Sequence, residues 1–176
     1  MKKIYAIQHV KNKNEALDFG PGFGILLPVL SEISGRIVGL DVDENQLTAA
    51  AKIIKDHSIR NVNLVCISTD MEFDDFDYES YDFIAADNVS EHINYHEQIL
   101  QSFCRILRTY GLLIISLPSE NAIYRMFESR NDGHILRGSK EIHSLLMTTS
   151  KDFIEVGSLD TAPIFLTRIF SKPVEA

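Results

Sequence analysis

Apolar residues along this chain alternate between short continuous runs and longer stretches with helical spacing. A strand that is covered on both faces has few polar positions, so the runs predict buried strands. They cover residues 15–19, 36–40, 62–67, 81–86 and 112–117. The helically spaced stretches lie between them, over 24–34, 44–57 and 96–110. Strands that alternate with helices predict a parallel sheet with helices on both faces and right-handed crossovers.

The helix ends and the last third of the chain complete this prediction. Asp43 is the predicted N-cap of the second helix, and Gly111 is the predicted C-cap of the third. Pro28 falls inside the first helix, where it predicts a kink and a free carbonyl at Gly24. The last third predicts helices near 120–129 and 139–148, followed by strands over 152–159 and 163–170. These two strands resemble a hairpin, which would add an antiparallel strand at one edge of the sheet.

Length and composition indicate an ordinary globular protein. The chain has 176 residues, of which 45% are hydrophobic and 24% charged, and we expect one domain over 1–176. No apolar run reaches the roughly 18–20 residues of a membrane span, and the start lacks the apolar region of a secretory signal. Cys66 and Cys104 sit among apolar residues and match no metal or redox spacing. We therefore expect buried thiols in a reducing, cytoplasmic compartment.

The formal net charge of -8 is concentrated in the middle of the chain. Between residues 61 and 104 there are ten Asp and Glu residues and no Lys or Arg. This acidic run is typical of a solvated loop, and it argues against nucleic acid as a partner, because phosphates would be repelled. His92 and His96 have the spacing of two metal ligands on one helix face, but no third ligand is suitably placed, so no metal is predicted.

The first strand–turn–helix segment has the residues of a ligand site. Gly20, Gly22 and Gly24 stand where the chain must turn from strand to helix, and glycine there permits positive φ and close approach of a ligand. The start of the helix offers free N–H groups. Asp18 ends the strand at the carboxyl edge of the sheet, where open α/β sheets bind ligands.

Acidic residues follow the next strands at the same edge. Asp41 lies twenty-one positions after Gly20, a spacing that suits a bidentate hydrogen bond to two ribose hydroxyls. Asp70 follows the third strand, in position for an adenine amino group. The combination predicts a nucleoside pocket.

A nicotinamide dinucleotide is disfavoured as the ligand. Its fingerprint needs a third glycine five residues after Gly20, where this chain has Ile25. No tyrosine is followed four residues later by lysine, and no G-K-[ST] sequence of a P-loop is present.

Five segments in order resemble the motifs of class I S-adenosylmethionine-dependent methyltransferases, and the similarity covers residues 15–118. The segments are ALDFGPGFG, VGLDVDENQL, the DME turn, YDFIAADNVSEHI and RILRTYGLLIISLP. They are most similar to the group that includes quinone-biosynthesis and other small-molecule methyltransferases. The resemblance implies a Rossmann-like, seven-stranded sheet of order 3-2-1-4-5-7-6 with the seventh strand antiparallel. It also implies S-adenosylmethionine as the cofactor.

The resemblance assigns a role to each candidate residue. Asp18 and the turn of Gly20, Gly22 and Gly24 would hold the methionine end, while Asp41, with Val42 beside it, would take the ribose. The adenine would fall to Asp70 and Met71, and the backbone near Asp87 and Asn88 would face the methionyl amine. His92 and Glu91 follow the fourth strand near the expected acceptor and are candidates for a general base, which a protonated acceptor such as a hydroxyl requires.

Two departures from the family pattern affect the prediction. Tyr110 precedes Gly111 where the family usually has paired glycines, and only about fourteen residues precede the first strand, too few for two covering helices of average length. We therefore expect cover from elsewhere, with 119–140 as the candidate acceptor lid and as a contact for a membrane surface or a second subunit. The predicted reaction is methyl transfer to a small molecule, apolar or lipid- or quinone-like. The alternatives are a non-catalytic partner-binding relative and, less favoured, a nicotinamide-dependent oxidoreductase.

Overall fold

The computed structural model describes residues 13–68, 76–87, 96–118, 144, 147–148, 153–160 and 165–172. Seven strands run through these residues: β1 (Lys13–Phe19), β2 (Ser34–Asp41), β3 (Val62–Cys66), β4 (Tyr81–Asp87), β5 (Leu107–Pro118), β6 (Ile154–Asp160) and β7 (Phe165–Ser171). Three helices join them: α1 (Leu27–Ile33), α2 (Glu44–Asp56) and α3 (His96–Ile106). The predicted helices near 120–129 and 139–148 fall largely outside this description, but Ser144, Met147 and Thr148 are helical.

The strands form one sheet of order β3-β2-β1-β4-β5-β7-β6. The first five strands pair in parallel, and β7 pairs antiparallel with both β5 and β6. The predicted order and the reversed seventh strand are confirmed. Because the order reverses between β1 and β4, the carboxyl ends of these two strands border the crevice in which such sheets bind ligands.

Each face of the sheet has its own core. On one face, Phe103 of α3 packs edge-on against Phe19 of β1, with ring centroids 5.2 Å apart. On the other face, Leu27 and Leu30 of α1 and Ala50 of α2 are fully buried against the sheet. Burial of each large apolar side chain contributes roughly 1.5–3 kcal/mol, so these contacts fix where the strand ends meet.

The first helix is shorter than predicted. It begins at Leu27, and Pro28 therefore occupies the first turn, where proline is tolerated. The carbonyl of Gly24 is not freed, because it accepts a hydrogen bond from the Leu27 N–H at 3.1 Å. The predicted kink and free carbonyl are thus wrong.

The predicted end of the third helix is also wrong. The helix ends at Ile106 rather than at Tyr110, and Gly111 lies within β5 instead of capping the helix. Leu107 is fully buried, and it pairs with Tyr81 as the first residue of the strand. Tyr110 adopts a φ of 61°, the left-handed conformation that glycine favours, and its N–H donates to the Lys172 carbonyl at 2.7 Å.

The cysteines differ from the prediction as well. Cys66 is exposed at the end of β3, and Cys104 is half-buried. Apolar neighbours in sequence did not bury Cys66, because β3 is the edge strand and its side chains have a neighbouring strand on one side only. Within the part of the chain described above, no helix is long and apolar enough to cross a membrane.

Candidate functional site

Three carboxylates converge at the carboxyl edge of the sheet. Asp18 is the penultimate residue of β1, and Asp41 and Asp87 are the last residues of β2 and β4. Asp18 pairs with Gly39 of β2 and with Ala85 of β4, so the other two aspartates lie two positions further along on either side. Strand β1 therefore carries an aspartate that is flanked by the acidic ends of both neighbouring strands.

Asp18 is the most buried of the three and lacks a compensating partner. Its side chain is 1% exposed, and Oδ2 accepts no hydrogen bond. Burial, followed by the negative charges of Asp87 and Asp41, raises the pKa of Asp18 from 3.8 to about 7. An unpaired carboxylate at such a position is a marker of function, because burial without a partner is costly.

Asp41 shapes the turn that follows β1. Its Oδ2 accepts the N–H of Gly22 at 3.0 Å, and its Oδ1 accepts the N–H of Asp43 at 3.0 Å. Asp41 thereby holds the glycine turn against the end of β2. Since a carboxylate oxygen has two lone pairs, both oxygens can accept a further bond from a ligand hydroxyl.

The three glycines of the turn have different surroundings. Gly20, Gly22 and Gly24 have φ values of 73°, 54° and 80°. A Cβ on Gly22 would meet only the end of the Gln46 side chain, at 3.0 Å, whereas a Cβ on Gly24 would lie 2.9 Å from Cβ of Ala50. Gly22 thus borders open space at the site, and Gly24 lets the turn pack on α2.

The helix that follows β2 begins where the sequence predicts. Oδ1 of Asp43 accepts the N–H of Asn45 at 2.8 Å and that of Gln46 at 3.4 Å, so Asp43 is confirmed as the N-cap of α2. Because Asp43 caps the helix, Asp41 is not needed for capping and is available to a ligand.

The structure brings some predicted site residues together and does not describe others. Asp18, Gly20, Gly22, Asp41 and Asp87 share one edge, and Val42 is 52% exposed next to Asp41. The remaining predicted residues, Asp70, Met71, Asn88, Glu91 and His92, lie outside the described residues, as do residues 1–12 and the candidate lid 119–140.

Sequence reasoning missed two features beside the site. Phe23 and Ile25 project from the glycine turn and are 62% and 77% exposed. Their position within the glycine turn, outside the apolar face of any helix, could have predicted this exposure. Ser116 of β5 pairs with Asp87 in the sheet, and its hydroxyl lies 3.2 Å from that of Thr167 in the buried interior. Nothing in a single strand pattern shows that these hydroxyls meet.

A sheet of this order, with a glycine turn after its first strand and acidic strand ends around it, defines the class of α/β nucleoside-binding folds. A model of the methyltransferase domain family matches residues 17–115, more than half of the chain. The chain therefore belongs to the methyltransferase domain family, and the predicted resemblance to class I S-adenosylmethionine-dependent methyltransferases is confirmed.

Similar proteins agree with this assignment. The chain is 30% identical over 105 residues to the ubiquinone biosynthesis O-methyltransferase of Bradyrhizobium diazoefficiens, a match that covers 60% of this chain and 40% of that protein. The chain thus spans less than half the length of this relative.

Solved structures share the fold. The structure of an S-adenosylmethionine-dependent methyltransferase from Aquifex aeolicus has a TM-score of 0.76 at 15% identity, covering 96% of this chain and 88% of the other. The N-methyltransferase NodS of Bradyrhizobium japonicum, in complex with S-adenosyl-L-homocysteine, has a TM-score of 0.77 at 14% identity, covering 98% and 87%.

Proposed function

We propose that this chain binds S-adenosylmethionine at the carboxyl edge of its sheet and transfers the methyl group to a small-molecule acceptor. The observation that carries the proposal is the Oδ2 atom of Asp18, which is buried, without a hydrogen-bond partner, and next to a turn of positive-φ glycines. The cofactor's amino-acid end carries an ammonium group that would supply the missing donor. The residues present therefore fit this cofactor.

The other described residues have complementary roles. Asp41 holds the turn through backbone N–H groups and retains acceptor capacity for the ribose hydroxyls. Val42, exposed beside it, offers an apolar surface to the nucleoside. Asp87 ends β4 on the other side of Asp18, where the methionyl end would lie. We assign the adenine to Asp70 and Met71 and a backbone contact to Asn88, all by family resemblance.

Cofactor chemistry determines what the protein must supply. S-adenosylmethionine supplies a methyl group that its sulfonium charge has already activated for displacement. The chain's residues then have two tasks, to align donor and acceptor and to exclude water. A buried strand end such as that of β1 suits alignment, since Ala16, Leu17 and Asp18 are all nearly inaccessible.

For the acceptor, we propose an apolar or quinone-like molecule with a hydroxyl group. The relative from Bradyrhizobium diazoefficiens is named for O-methylation in ubiquinone biosynthesis. Phe23 and Ile25 support an apolar acceptor, because they extend from the glycine turn into solvent. A hydroxyl acceptor must lose its proton, and we assign this role to His92 with Glu91. The segment 119–140 would cover the acceptor or contact a membrane surface or a second subunit.

Calorimetric titration of the purified chain with S-adenosylmethionine tests the cofactor assignment. Asp41→Ala should weaken binding about ten- to a hundred-fold, because it removes two hydrogen bonds in a buried site. Asp41→Asn keeps one acceptor oxygen for the turn and should bind with intermediate affinity. Asp56→Ala, at the exposed end of α2, is the matched control and should bind as wild type. Equal affinity of Asp41→Ala and wild type would show that the pocket is misassigned.

Transfer of a labelled methyl group to a panel of phenols and quinols tests the acceptor. We expect higher turnover with long apolar tails than with short ones. His92→Ala should lower turnover about 10²- to 10⁴-fold if the histidine is the base, while His57→Ala, exposed at the end of α2, should not. Cofactor binding with no transfer to any acceptor would favour the non-catalytic alternative.

A further inference from the structure

The proton balance of the carboxylate cluster leads to an inference about how the cofactor binds. In the described part of the chain, Asp18 makes no ion pair, and its Oδ2 accepts no hydrogen bond. An ionised carboxylate in that position would lie unpaired in the interior between two further acidic groups. Such an arrangement is unfavourable unless a proton or a cation compensates it.

The surroundings of the cluster identify Asp18 as the residue that holds the proton. Asp41 accepts two backbone N–H bonds, which stabilise a negative charge, and Asp87 is only half-buried at the end of β4. Asp18 has neither advantage. Burial, then the charges of Asp87 and Asp41, raise its pKa to about 7.

Among the described residues, the charged groups on the other elements packed around Asp18 do not alter this balance. The turn over residues 20–26 has no titratable side chain. In α1 the only such group is Glu32, which is exposed near the far end of the helix. In α2 the charged side chains point to solvent, and they are Glu44, Lys52, Lys55 and Asp56. From the neighbouring strands, Asp41 and Asp87 face Asp18.

We propose that Asp18 holds a proton in the free protein and releases it to solvent when the cationic amino-acid end of the cofactor binds. The inference rests on the proposed function, because S-adenosylmethionine is the source of the cation. In the exchange, the Asp18 O–H bond breaks, its proton leaves to buffer, and the carboxylate formed pairs with the ligand's ammonium group. Cofactor affinity is then linked to pH through one proton.

This linkage has a defined direction. Below the pKa of about 7, each unit rise in pH should tighten binding about tenfold, because the proton is lost on binding. Above that pKa, Asp18 is already ionised and the dependence should level off. At still higher pH, affinity should fall once the ligand's amino group loses its own proton near its usual pKa of about 8.

Calorimetry of the full chain in buffers of different ionisation enthalpy counts the protons directly. At about pH 6, binding of S-adenosylmethionine should release about one proton, and the count should approach zero well above pH 7. S-adenosylhomocysteine has the same ammonium group and should also release a proton. Methylthioadenosine, which lacks the amino-acid end, should bind without release.

Two variants separate the inference from the proposed function. Asp18→Asn should bind more weakly at about pH 8 than wild type, with no proton release and no rise in affinity between about pH 5.5 and 7. Asp56→Asn makes the same change at an exposed site and should behave as wild type. If the folded wild-type chain binds S-adenosylmethionine at no pH, both proposals are overturned. If it binds tightly but releases no proton at about pH 6, only the inference is overturned.

Discussion

The carboxylates at the amino and carboxyl edges of the parallel strands differ in whether a cation lies beside them. At the amino edge, each of three carboxylates faces a cation: Glu79 with Lys172 at 3.1 Å, Asp82 with Arg108 at 2.7 Å and Glu15 with Arg36 at 3.7 Å. At the carboxyl edge, Asp18 has no such partner among the described residues. The fold therefore already neutralises the amino edge, whereas the carboxyl edge keeps a buried carboxyl group with no cation beside it in the described part of the chain.

Lys172 is the most buried of the three cations at the amino edge. It follows β7, is 3% exposed, and its Nζ donates to Oε1 of Glu79 and to the Leu107 carbonyl at 3.0 Å. Burial alone would lower the pKa of Lys172, but the hydrogen bond to Glu79 and the nearby negative charges together outweigh burial, so the pKa is raised. The hydrogen bonds from Lys172 and Thr109 hold the pKa of Glu79 below 4.5. These contacts tie the end of the reversed strand to the loop before β4.

The two edges should therefore respond to pH with opposite sign. Because the pKa of Asp18 is raised in the folded state, ionisation of this group destabilises the fold. This destabilisation is absent below about pH 4 and develops as the pH rises to about 7. Glu79 has a lowered pKa, so its stabilisation is present above 4.5 and is lost as the pH falls through the folded-state value.

Removing the charge at Asp18 should produce the largest change in stability. A shift from 3.8 to about 7 corresponds to about 4 kcal/mol, so Asp18→Asn should be more stable than wild type by up to that amount above pH 7. Near pH 4 the two proteins should unfold alike. Urea denaturation between pH 4 and 8 measures this difference. A difference in the free energy of unfolding that stays constant with pH would show that the pKa of Asp18 is not raised. The two edges would then not respond to pH with opposite sign.

A methyl group added at Gly24 tests how rigidly the carboxyl edge is built. Gly24→Ala should lower the free energy of unfolding by about 3 kcal/mol, from left-handed strain and overlap with Ala50. Gly22→Ala is the matched control and should cost about 1–2 kcal/mol, because only the mobile end of Gln46 must move. Equal losses for both variants would mean that the turn does not depend on packing against α2.

Removal of the ion pair between Lys172 and Glu79 tests how much charge pairing at the amino edge stabilises the fold. Lys172→Met keeps most of the apolar length and should destabilise the fold by about 2 kcal/mol, since two hydrogen bonds from a buried ammonium are lost. Lys52→Met, on the exposed face of α2, should change stability by less than about 0.5 kcal/mol. The loss at Lys172 should shrink at low pH as Glu79 becomes protonated. No shrinkage would assign the effect to packing alone.

Asp43 also lies at the carboxyl edge, but unlike Oδ2 of Asp18 its carboxylate accepts hydrogen bonds from backbone N–H groups. The backbone hydrogen bond from Asn45 holds the pKa of Asp43 below 3.8. Asp43→Ala should cost about 1 kcal/mol through loss of the N-cap, and Asp43→Ser should restore most of it. Thermal melting at neutral pH measures both. A stabilised Asp43→Ala variant would show that crowding of acidic groups outweighs capping.

Several parts of the site were predictable because local chemistry specifies them. Asp41 ends a strand of buried residues, and Asp43 precedes a helix rich in alanine, so their division into site residue and cap follows from position alone. The boundary between α3 and β5 was not predictable in the same way. Leu107 fits the apolar face of a helix and the start of a buried strand equally well, and its pairing with Tyr81 decided between them.

The succession of strands and helices, the glycine turn and the acidic residues that follow the strands can all be read from the amino-acid sequence, since hydrophobic period and backbone freedom are local properties. Which carboxylates pair with cations depends instead on how the chain folds. Glu79 and Lys172 are 93 residues apart and meet because β7 runs back along β5, while Asp18, in β1, lies between Asp41 and Asp87. Charge compensation depends on burial and on distance in space, and neither can be read from the order of residues along the chain.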